Sequence, residues 1–321
     1  MSKHLIIIVG PTAIGKTSLS IALAQHFNCD IISCDSRQFY KEMRIGTAVP
    51  TTEELASARH HFIQNKSIFD NYTVGDFEKE AISKLDELFL TNNYVVMVGG
   101  SGLYVDAVLK GFDEFPEIDS MVRSEVQTNY ENLGIDYLQQ KLEVLDFDYF
   151  KEIKTSNPQT LQNPQRMMRF VEVCLGTGKP YSSFLNLKKN TRNFTPILIG
   201  LEAERNAIYD RINQRVDIMV NEGLLTEAKD LFPHKNLNAL QTVGYRELFS
   251  NFEGDISLEF AIEEIKKNTR RFAKRQLTWF KRNENTKWFD YLTDRKEIIN
   301  YIKVNGNFNV NSNFNVNSNE N

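Results

Sequence analysis

The chain has 321 residues, of which 41% are hydrophobic and 25% charged, a composition that supports a large buried core. Its formal net charge of -4 argues against uniform coating of nucleic acid, although a local basic patch is compatible with it. Three cysteines without a C-x-x-C spacing favour neither disulfides nor a zinc site, and no apolar run approaches the roughly 20 residues of a membrane helix. We expect a cytoplasmic protein with no membrane partner.

Four short apolar runs predict buried strands of a parallel sheet. They cover residues 5–9, 30–34, 94–98 and 196–200. Helical sequence separates them, beginning with a helix that we expect over residues 16–27. This alternation predicts an α/β fold with a doubly wound parallel sheet flanked by helices.

The pattern changes twice along the chain. Residues 114–193 carry no strand pattern and predict a helical insertion domain, so that residues 1–113 and 194–300 together form a discontinuous core domain. An asparagine-rich motif repeats within residues 307–318 and has too little apolar content to pack. We therefore predict that residues 301–321 form a disordered, low-complexity tail.

Residues 10–17 match the phosphate-binding pattern G-x-x-x-x-G-K-S/T between a predicted strand and a predicted helix, the context that makes this pattern specific. Backbone amides of such a loop converge on phosphate oxygens, Lys16 neutralises charge, and the Thr17 hydroxyl can ligate Mg²⁺. We predict a P-loop NTPase-like core with a magnesium cofactor at Thr17, and the loop alone would suggest ATP as ligand. The predicted phosphate-binding residues are Gly10, Pro11, Thr12, Ala13, Ile14, Gly15, Lys16 and Thr17.

Asp35 is the acidic residue that follows a predicted strand beside this loop. A motor-type ATPase would place a magnesium-binding aspartate after a later core strand, but residues 94–98 are followed by Gly99-Gly100-Ser101. Asp35 is therefore a general base, a magnesium ligand or a helix cap, and the residues alone leave all three open. The base is favoured, because catalytic groups gather at the carboxyl ends of strands in open α/β sheets.

An ordered series of motifs extends over residues 5–290. In chain order they are Gly-Pro-Thr-Ala-Ile-Gly-Lys-Thr at 10–17, Asp-Ser-Arg-Gln-Phe-Tyr at 35–40, Ile-Gly-Thr-Ala at 45–48, Gly-Gly-Ser-Gly-Leu-Tyr at 99–104, Asn-Pro-Gln-Arg-Met-Met-Arg at 163–169, Val-Gly-Tyr-Arg-Glu at 243–247 and Ala-Lys-Arg-Gln-Leu-Thr-Trp-Phe at 273–280. Each motif is ordinary, but the ordered series is specific. It resembles the tRNA dimethylallyltransferase, or IPP transferase, family, whose members prenylate the adenosine directly 3′ of the anticodon.

The resemblance implies that the loop holds the diphosphate of dimethylallyl diphosphate. It further implies that Asp35 takes the proton from the exocyclic amine of adenine, while Lys16, the loop amides and Mg²⁺ stabilise the departing diphosphate. We assign catalysis to Asp35, Lys16 and Ser101. Arg215 is expected to contact the diphosphate, with a surface ion pair as the alternative.

The resemblance also implies contacts to the tRNA anticodon stem-loop. The residues expected to make them are Asp35, Ser36, Arg37, Gln38, Ser101, Arg123, Gln165, Arg166, Met167, Met168 and Arg169. Arg166 and Arg169 lie one helical turn apart and can face one phosphate strand, although a solvated helix face is the plain alternative.

A basic stripe within residues 258–282 is the second feature that suits RNA. On a helix, seven cations fall within an arc of about 140°, while Ala273, Leu277 and Phe280 fall outside it and pack. The cations are Lys267, Arg270, Arg271, Lys274, Arg275, Lys281 and Arg282. We predict tRNA contacts from Lys274 and Arg275; the alternative is a solvated face balanced by Glu263 and Glu264. Phe272 and Trp279 flank the stripe and are expected in the core.

Three positions depart from the family pattern without disturbing the loop or Asp35: Val49 where lysine is frequent, Gln64 where aspartate is usual, and Ser101, which replaces a common threonine but keeps the hydroxyl. His60 and His61 lack partners at metal-ligand spacing, so we expect them to be structural.

Two rival functions remain open at this point. One is a small-molecule or nucleotide kinase that uses the loop for ATP. The other is a non-catalytic RNA-binding module with a structural nucleotide. Under the favoured interpretation the chain acts as a monomer.

Overall fold

The computed structural model describes residues 2–185 and 191–308. The strands in this part of the chain are β1 His4–Val9, β2 Ile31–Ser33, β3 His60–His61, β4 Tyr94–Val98, β5 Thr195–Glu202 and β6 Lys287–Asp290. They form one parallel sheet in the order β3-β2-β4-β1-β5-β6. The predicted parallel α/β fold is confirmed. Both ends of each predicted strand lie within two residues of the corresponding ends of an observed strand.

Helices connect and flank the strands. Before the insertion they are α1 Lys16–Phe27, α2 Thr52–Ser57, α3 Val74–Leu88 and α4 Gly102–Lys110. The insertion contains α5 Ser120–Leu145, α6 Phe147–Ser156 and α7 Pro164–Thr177. After it come α8 Arg205–Asn221, α9 Leu224–Leu231, α10 Tyr245–Phe252, α11 Leu258–Phe280 and α12 Arg295–Phe308.

The sequence patterns predict neither of the two edge strands, β3 and β6. β3 consists of two histidines, and β6 is a four-residue segment that begins with lysine and ends with aspartate. An edge strand is covered on fewer sides than a central one, so it needs no continuous apolar run.

The core is built on β1, which pairs with β4 on one edge and β5 on the other and is buried along its whole length. Leu5 and Ile7 contribute to the cluster that includes α3, whereas Ile6 and Ile8 contribute to the cluster that includes α1 and α8. Each fully buried side chain of this kind stabilises the fold by about 1.5–3 kcal/mol. The central strand therefore fixes the position of the loop that follows it.

The insertion has a core of its own. Val126, Leu138, Leu142, Met167 and Val171 are completely buried between α5, α6 and α7. Helix α5 is interrupted at Gly134, whose φ of 75° and ψ of -166° are not helical.

The described residues fall into two compact units, one ending at Gly111 and resuming at Arg192, the other covering residues 112–185 and Thr191. The sequence places these boundaries at 113/114 and 193/194. Residues 301–308 belong to α12, so the predicted disordered tail from residue 301 is wrong for its first eight residues. Their side chains Tyr301 and Ile302 pack against the core, which the polar composition of the tail concealed. The asparagine-rich repeat beyond residue 308 lies outside the described residues.

Among residues 2–185 and 191–308, no helix combines the length and apolar character needed to cross a membrane.

Candidate active site

The phosphate loop joins β1 to α1. Gly10 has a φ of 142°, and a Cβ there would lie 2.6 Å from the carbonyl oxygen of Leu201 on β5, so the position requires glycine. Gly15 has a φ of 107° and directly precedes Lys16, the first residue of α1. The loop thus brings its backbone amides to a helix N-terminus, where amide hydrogens and the helix dipole favour an anion.

Lys16 is folded back onto the loop. Its Nζ donates hydrogen bonds to the carbonyl oxygens of Gly10 at 3.0 Å and Pro11 at 2.8 Å. Burial lowers the pKa of Lys16 to about 8; the nearby Arg215 adds to this effect, and Asp35 opposes it. A bound anion would favour the charged form of this lysine.

Two arginines from α8 contact the same loop. Arg211 donates from Nε to the carbonyl oxygen of Ala13 at 2.7 Å, and a terminal nitrogen of Arg215 lies 3.5 Å from Oγ1 of Thr12. Burial, and then the neighbouring Arg211, lower the pKa of Arg215. Arg215 therefore lies beside the phosphate loop, and its contact with diphosphate stays a prediction.

Asp35 follows β2 by two residues and faces the same region. Its Oδ1 accepts a hydrogen bond from the backbone N–H of Arg37 at 3.1 Å. The next described helix, α2, begins only at Thr52, so Asp35 is not a helix cap. Its charge raises the pKa of Lys16, as expected for a carboxylate close to that ammonium group. The base and the magnesium-ligand interpretations both remain compatible with this position.

The glycine-rich segment after β4 packs directly against the Asp35 loop. A Cβ at Gly99 would lie 2.9 Å from the backbone nitrogen of Asp35, so a side chain there would push the two segments apart. Ser101 Oγ accepts a hydrogen bond from the backbone N–H of Ser36 at 3.1 Å and lies 3.0 Å from its hydroxyl. Ser101 thereby holds the residue that follows Asp35.

Gln276 of α11 is a site residue to which the sequence analysis gives no role. It is 5% exposed; its Oε1 accepts from the backbone N–H of Thr12 at 2.8 Å, and its Nε2 donates to the carbonyl oxygen of Gly100 at 2.9 Å. Its position on the helix could have indicated burial. At 100° per residue, Gln276 lies opposite the centre of the cationic arc and so on the packed side of the helix.

A cavity of about 770 Å³ brings these groups together. Its lining includes residues 12–18 of the loop and α1, together with Asp35, Arg211, Arg215 and Gln276. Apolar wall is supplied by Ile45, Val49, Ile63, Ile218, Met219 and Phe272. Phe272 is 38% exposed, so its predicted place in the core is wrong; Trp279 instead packs against the core and donates to Asp106 at 3.0 Å. The cavity offers an anion-binding end, a carboxylate and an apolar surface.

The loop after β2 is held by side chains that the sequence assigns to tRNA. Arg37 donates to the carbonyl oxygens of Asn238 and Ala239, both at 3.0 Å. Gln38 donates to the carbonyl oxygens of Thr47 at 3.2 Å and Ala48 at 2.9 Å. These side chains therefore support the cavity wall, whatever further contacts they make.

Glu227 of α9 anchors the adjoining segment and is also missed by the sequence analysis. Its carboxylate accepts backbone hydrogen bonds from Arg44, Ile45 and Gly46 at 2.7–2.9 Å, and one from the Tyr245 hydroxyl at 2.6 Å. A Cβ at Gly46 would overlap the ring of completely buried Tyr245. This packing explains the glycine of one motif and the tyrosine of another.

The helical unit carries the second group of predicted tRNA residues. Gln165 and Arg166 are exposed at the start of α7, and Met168 and Arg169 are half-buried. Met167 is completely buried in the core of the unit, so the predicted tRNA contact of its side chain is wrong. On an amphipathic helix successive side chains are 100° apart, so one stretch of sequence includes both exposed and inward-facing residues, and a matched linear motif does not reveal which are which.

Arg123 and Arg169 share one carboxylate in this unit. Glu172, which is 8% exposed, lies 3.6 Å from Nε of Arg123 and 3.9 Å from a terminal nitrogen of Arg169. Burial raises the pKa of Glu172, and the two arginines oppose that shift. The guanidinium of Arg169 also stacks over Phe115 at 5.5 Å.

Helix α11 divides along its length. Lys267 pairs with Glu264, and Lys266 lies 3.1 Å from Glu263, so the first half resembles the balanced face of the alternative interpretation. Further along, the cations Arg271, Lys274, Arg275, Lys281 and Arg282 are exposed, and Lys281 lies 2.9 Å from Glu202. The exposed basic surface is thus concentrated in the second half of the helix.

The remaining singled-out positions have structural partners. His61 hydrogen-bonds Asp30 at 2.8 Å, and His60 hydrogen-bonds the carbonyl oxygen of Ala58 at 2.8 Å while lining the cavity. Gln64 donates to the carbonyl oxygen of Lys41 at 3.0 Å. Within the described part of the chain, no three His, Cys, Asp or Glu side chains cluster as a metal site.

The sequence model described as IPP transferase matches residues 38–283, which is most of the chain; the match begins after the phosphate loop and Asp35 and ends after α11. The chain belongs to the IPP transferase family. A relative from Flavobacterium johnsoniae named tRNA dimethylallyltransferase is 77% identical over 303 residues, covering 94% of this chain and 98% of the relative. Another of that name, from Christiangramia forsetii, is 58% identical with the same coverage.

Solved structures of this family share the fold. The full-length tRNA isopentenylpyrophosphate transferase from Bacillus halodurans has a TM-score of 0.70 and 36% identity, covering 96% of this chain and 97% of that one. A eukaryotic dimethylallyltransferase described as acting on tRNA has a TM-score of 0.77 and 26% identity, covering 96% of this chain and 79% of that one.

Proposed function

We propose that this chain transfers a dimethylallyl group from dimethylallyl diphosphate to the exocyclic amine of the adenosine 3′-adjacent to the anticodon in tRNA, releasing diphosphate. The observation that carries the proposal is the cavity in which an anion-binding loop and Asp35 lie together with an apolar wall. Membership of the IPP transferase family and the names of close relatives support the same activity. They give no support to the kinase interpretation.

The chemistry follows from the groups that line the cavity. The amine nitrogen attacks the primary allylic carbon, the carbon–oxygen bond breaks, and its electron pair leaves with diphosphate. Lys16, Arg215 and the loop amides stabilise the growing negative charge on that leaving group. Asp35 accepts the proton that the amine loses. The adenine must leave its stack to reach the carbon, as for other enzymes that act on a base.

A magnesium ion fits the donor set. Magnesium is usually held by one or two protein oxygens together with substrate phosphates and water, and the Thr17 hydroxyl lines the cavity at the start of α1. The lack of a three-residue acidic or histidine cluster in the described residues agrees with this mode of binding. When bound, the ion would supply further positive charge to the diphosphate.

Exposed cations suited to contacts with tRNA phosphates are Arg166 on α7, and Lys274 and Arg275 on α11. Because cellular tRNA is the substrate, we place the reaction in the cytoplasm. We further propose that the chain acts as a monomer.

The test is incubation of the purified chain with unmodified tRNA, magnesium and labelled dimethylallyl diphosphate, followed by nuclease digestion and mass analysis of the nucleosides. We expect one prenylated adenosine per modified tRNA, located 3′ of the anticodon. A parallel reaction with γ-labelled ATP provides the comparison. Label moving from ATP to an acceptor, with no prenylated nucleoside, would replace the proposal by the kinase function.

A further inference from the structure

We propose that Gln276 is a positioning residue, which fixes the phosphate loop relative to the segment that carries the base. The inference rests on the proposed prenyl transfer. Gln276 does not take part in bond making; it acts through the two segments that its amide joins.

The buried amide of Gln276 joins segments that are distant in sequence. Its oxygen is bound to Thr12 in the phosphate loop, and its nitrogen to Gly100 after β4. A Cβ at Gly100 would overlap this amide nitrogen, so glycine is needed for the contact. With 5% exposure and one hydrogen bond at each polar atom, the amide is held between the two segments.

The connection continues from Gly100 to the base. Ser101, the next residue, binds Ser36, which directly follows Asp35. Gly99 packs against the backbone of Asp35 from the same segment. A displacement of the Gly100 carbonyl would therefore move the carboxylate relative to the loop that holds the diphosphate.

The hydrogen bond to Thr12 also determines whether replacing Gln276 should affect diphosphate binding or the rate of transfer. The backbone N–H of Thr12 is already donated to Gln276, so removal of the side chain frees an anion-binding group rather than deleting one. Diphosphate binding should then persist, while the geometry of the reaction is lost. A misplacement of about 1 Å can reduce a rate about 100-fold.

The experiment compares Gln276→Leu and Gln276→Glu with the unsubstituted chain. For Gln276→Leu we expect kcat for prenyl transfer to fall about 10- to 100-fold, with the Kd for inorganic diphosphate nearly unchanged. In Gln276→Glu the protonated acid reproduces both the donor and the acceptor, whereas the ionised form cannot donate to Gly100. Its kcat, relative to that of the unsubstituted chain, should therefore rise as the pH is lowered.

Thr278→Ala is the matched control, since Thr278 is exposed on the same helix and its hydroxyl donates to the carbonyl oxygen of Lys274, one turn earlier. The proposal is overturned by an unchanged kcat in Gln276→Leu, by parallel loss of diphosphate binding and kcat, or by a Gln276→Glu profile that follows the unsubstituted chain at every pH. If Gln276→Leu does not fold, the Gln276→Glu profile decides alone. An unsubstituted chain that binds diphosphate but never prenylates tRNA would instead count against the proposed function.

Discussion

At the scale of single residues, Asp35 and Lys16 line one cavity but have separable tasks. Asp35→Asn keeps the shape of the side chain and removes the base. We expect transfer to fall about 10²- to 10⁴-fold, while inorganic diphosphate binds as before. Single-turnover rates and calorimetric binding measure the two quantities separately. Loss of transfer and of diphosphate binding together would identify Asp35 as a magnesium ligand. If the unsubstituted chain itself bound tRNA without turnover, that result would support the non-catalytic RNA-binding module.

The lowered pKa of Lys16 makes diphosphate binding dependent on pH. Because burial brings this pKa to about 8, the free enzyme loses the positive charge as the pH rises through 8. Diphosphate prefers the charged form, so its affinity should decline above pH 8, with proton uptake on binding. Calorimetry in buffers of different ionisation enthalpy measures that uptake.

Lys16→Arg supplies the control for this titration, because arginine stays charged throughout the range. Ionisation of the diphosphate itself affects its binding to both proteins equally. Any difference between their pH profiles therefore comes from Lys16. Equal pH dependence in the two proteins would show that Lys16 does not titrate near pH 8.

At the scale of helices, α7 carries Arg166 and Arg169 within its first two turns. Replacing both with alanine should raise KM for tRNA and reduce the slope of log affinity against log salt by about 0.7–0.9 for each lost phosphate contact. Filter binding over a range of salt concentrations gives that slope. kcat at saturating tRNA should change much less.

Lys151→Ala with Lys154→Ala is the charge-matched comparison, since both lysines are exposed on α6 in the same unit. These changes should leave the salt slope intact. Equal effects of the two pairs would mean that net charge, rather than a defined surface, accounts for binding.

Helix faces also show which structural roles sequence patterns predict and which they miss. The cationic arc of α11 is readable because charge repeats at helical spacing, and its exposed second half is confirmed. The roles of Gln276 and Met167 cannot be predicted from the sequence, because they depend on which neighbouring segments cover the helix faces that carry these two residues. Glu227 is missed for a related reason: three of its four hydrogen bonds come from a segment about 180 residues earlier.

At the scale of the whole molecule, the sequence predicts the central strands, the phosphate loop and the helical insertion, because buried apolar runs and a glycine-rich turn are local patterns. It misses the edge strands and the end of the core. Helix α12 lies beyond the family match, yet Ile298 and Ile302 are 2% and 0% exposed in the core. The asparagine-rich composition nearby hid Ile302, whereas Ile298 lies inside the predicted core domain.

This difference gives a stability prediction. Ile302→Ala should lower the free energy of unfolding by about 2–5 kcal/mol, because it leaves a cavity in a closely packed cluster. Removing residues 309–321 should leave the unfolding transition unchanged, since this asparagine-rich sequence has too little apolar content to add to a core. Urea titration followed by circular dichroism measures both. A truncation that costs as much as Ile302→Ala would show that the final residues contribute to the core.

The central place of β1 matters while the protein is being made. β1 emerges early and gains β4 once residue 98 has appeared, but its other partner, β5, begins about 100 residues later, at Thr195. At ribosomal speeds, that interval lasts roughly 5–20 s. Throughout it, the nascent chain presents an apolar strand with one open edge, a template for pairing with neighbouring chains. Ribosome-associated chaperones are therefore expected to engage this protein before residue 202 and to release it afterwards.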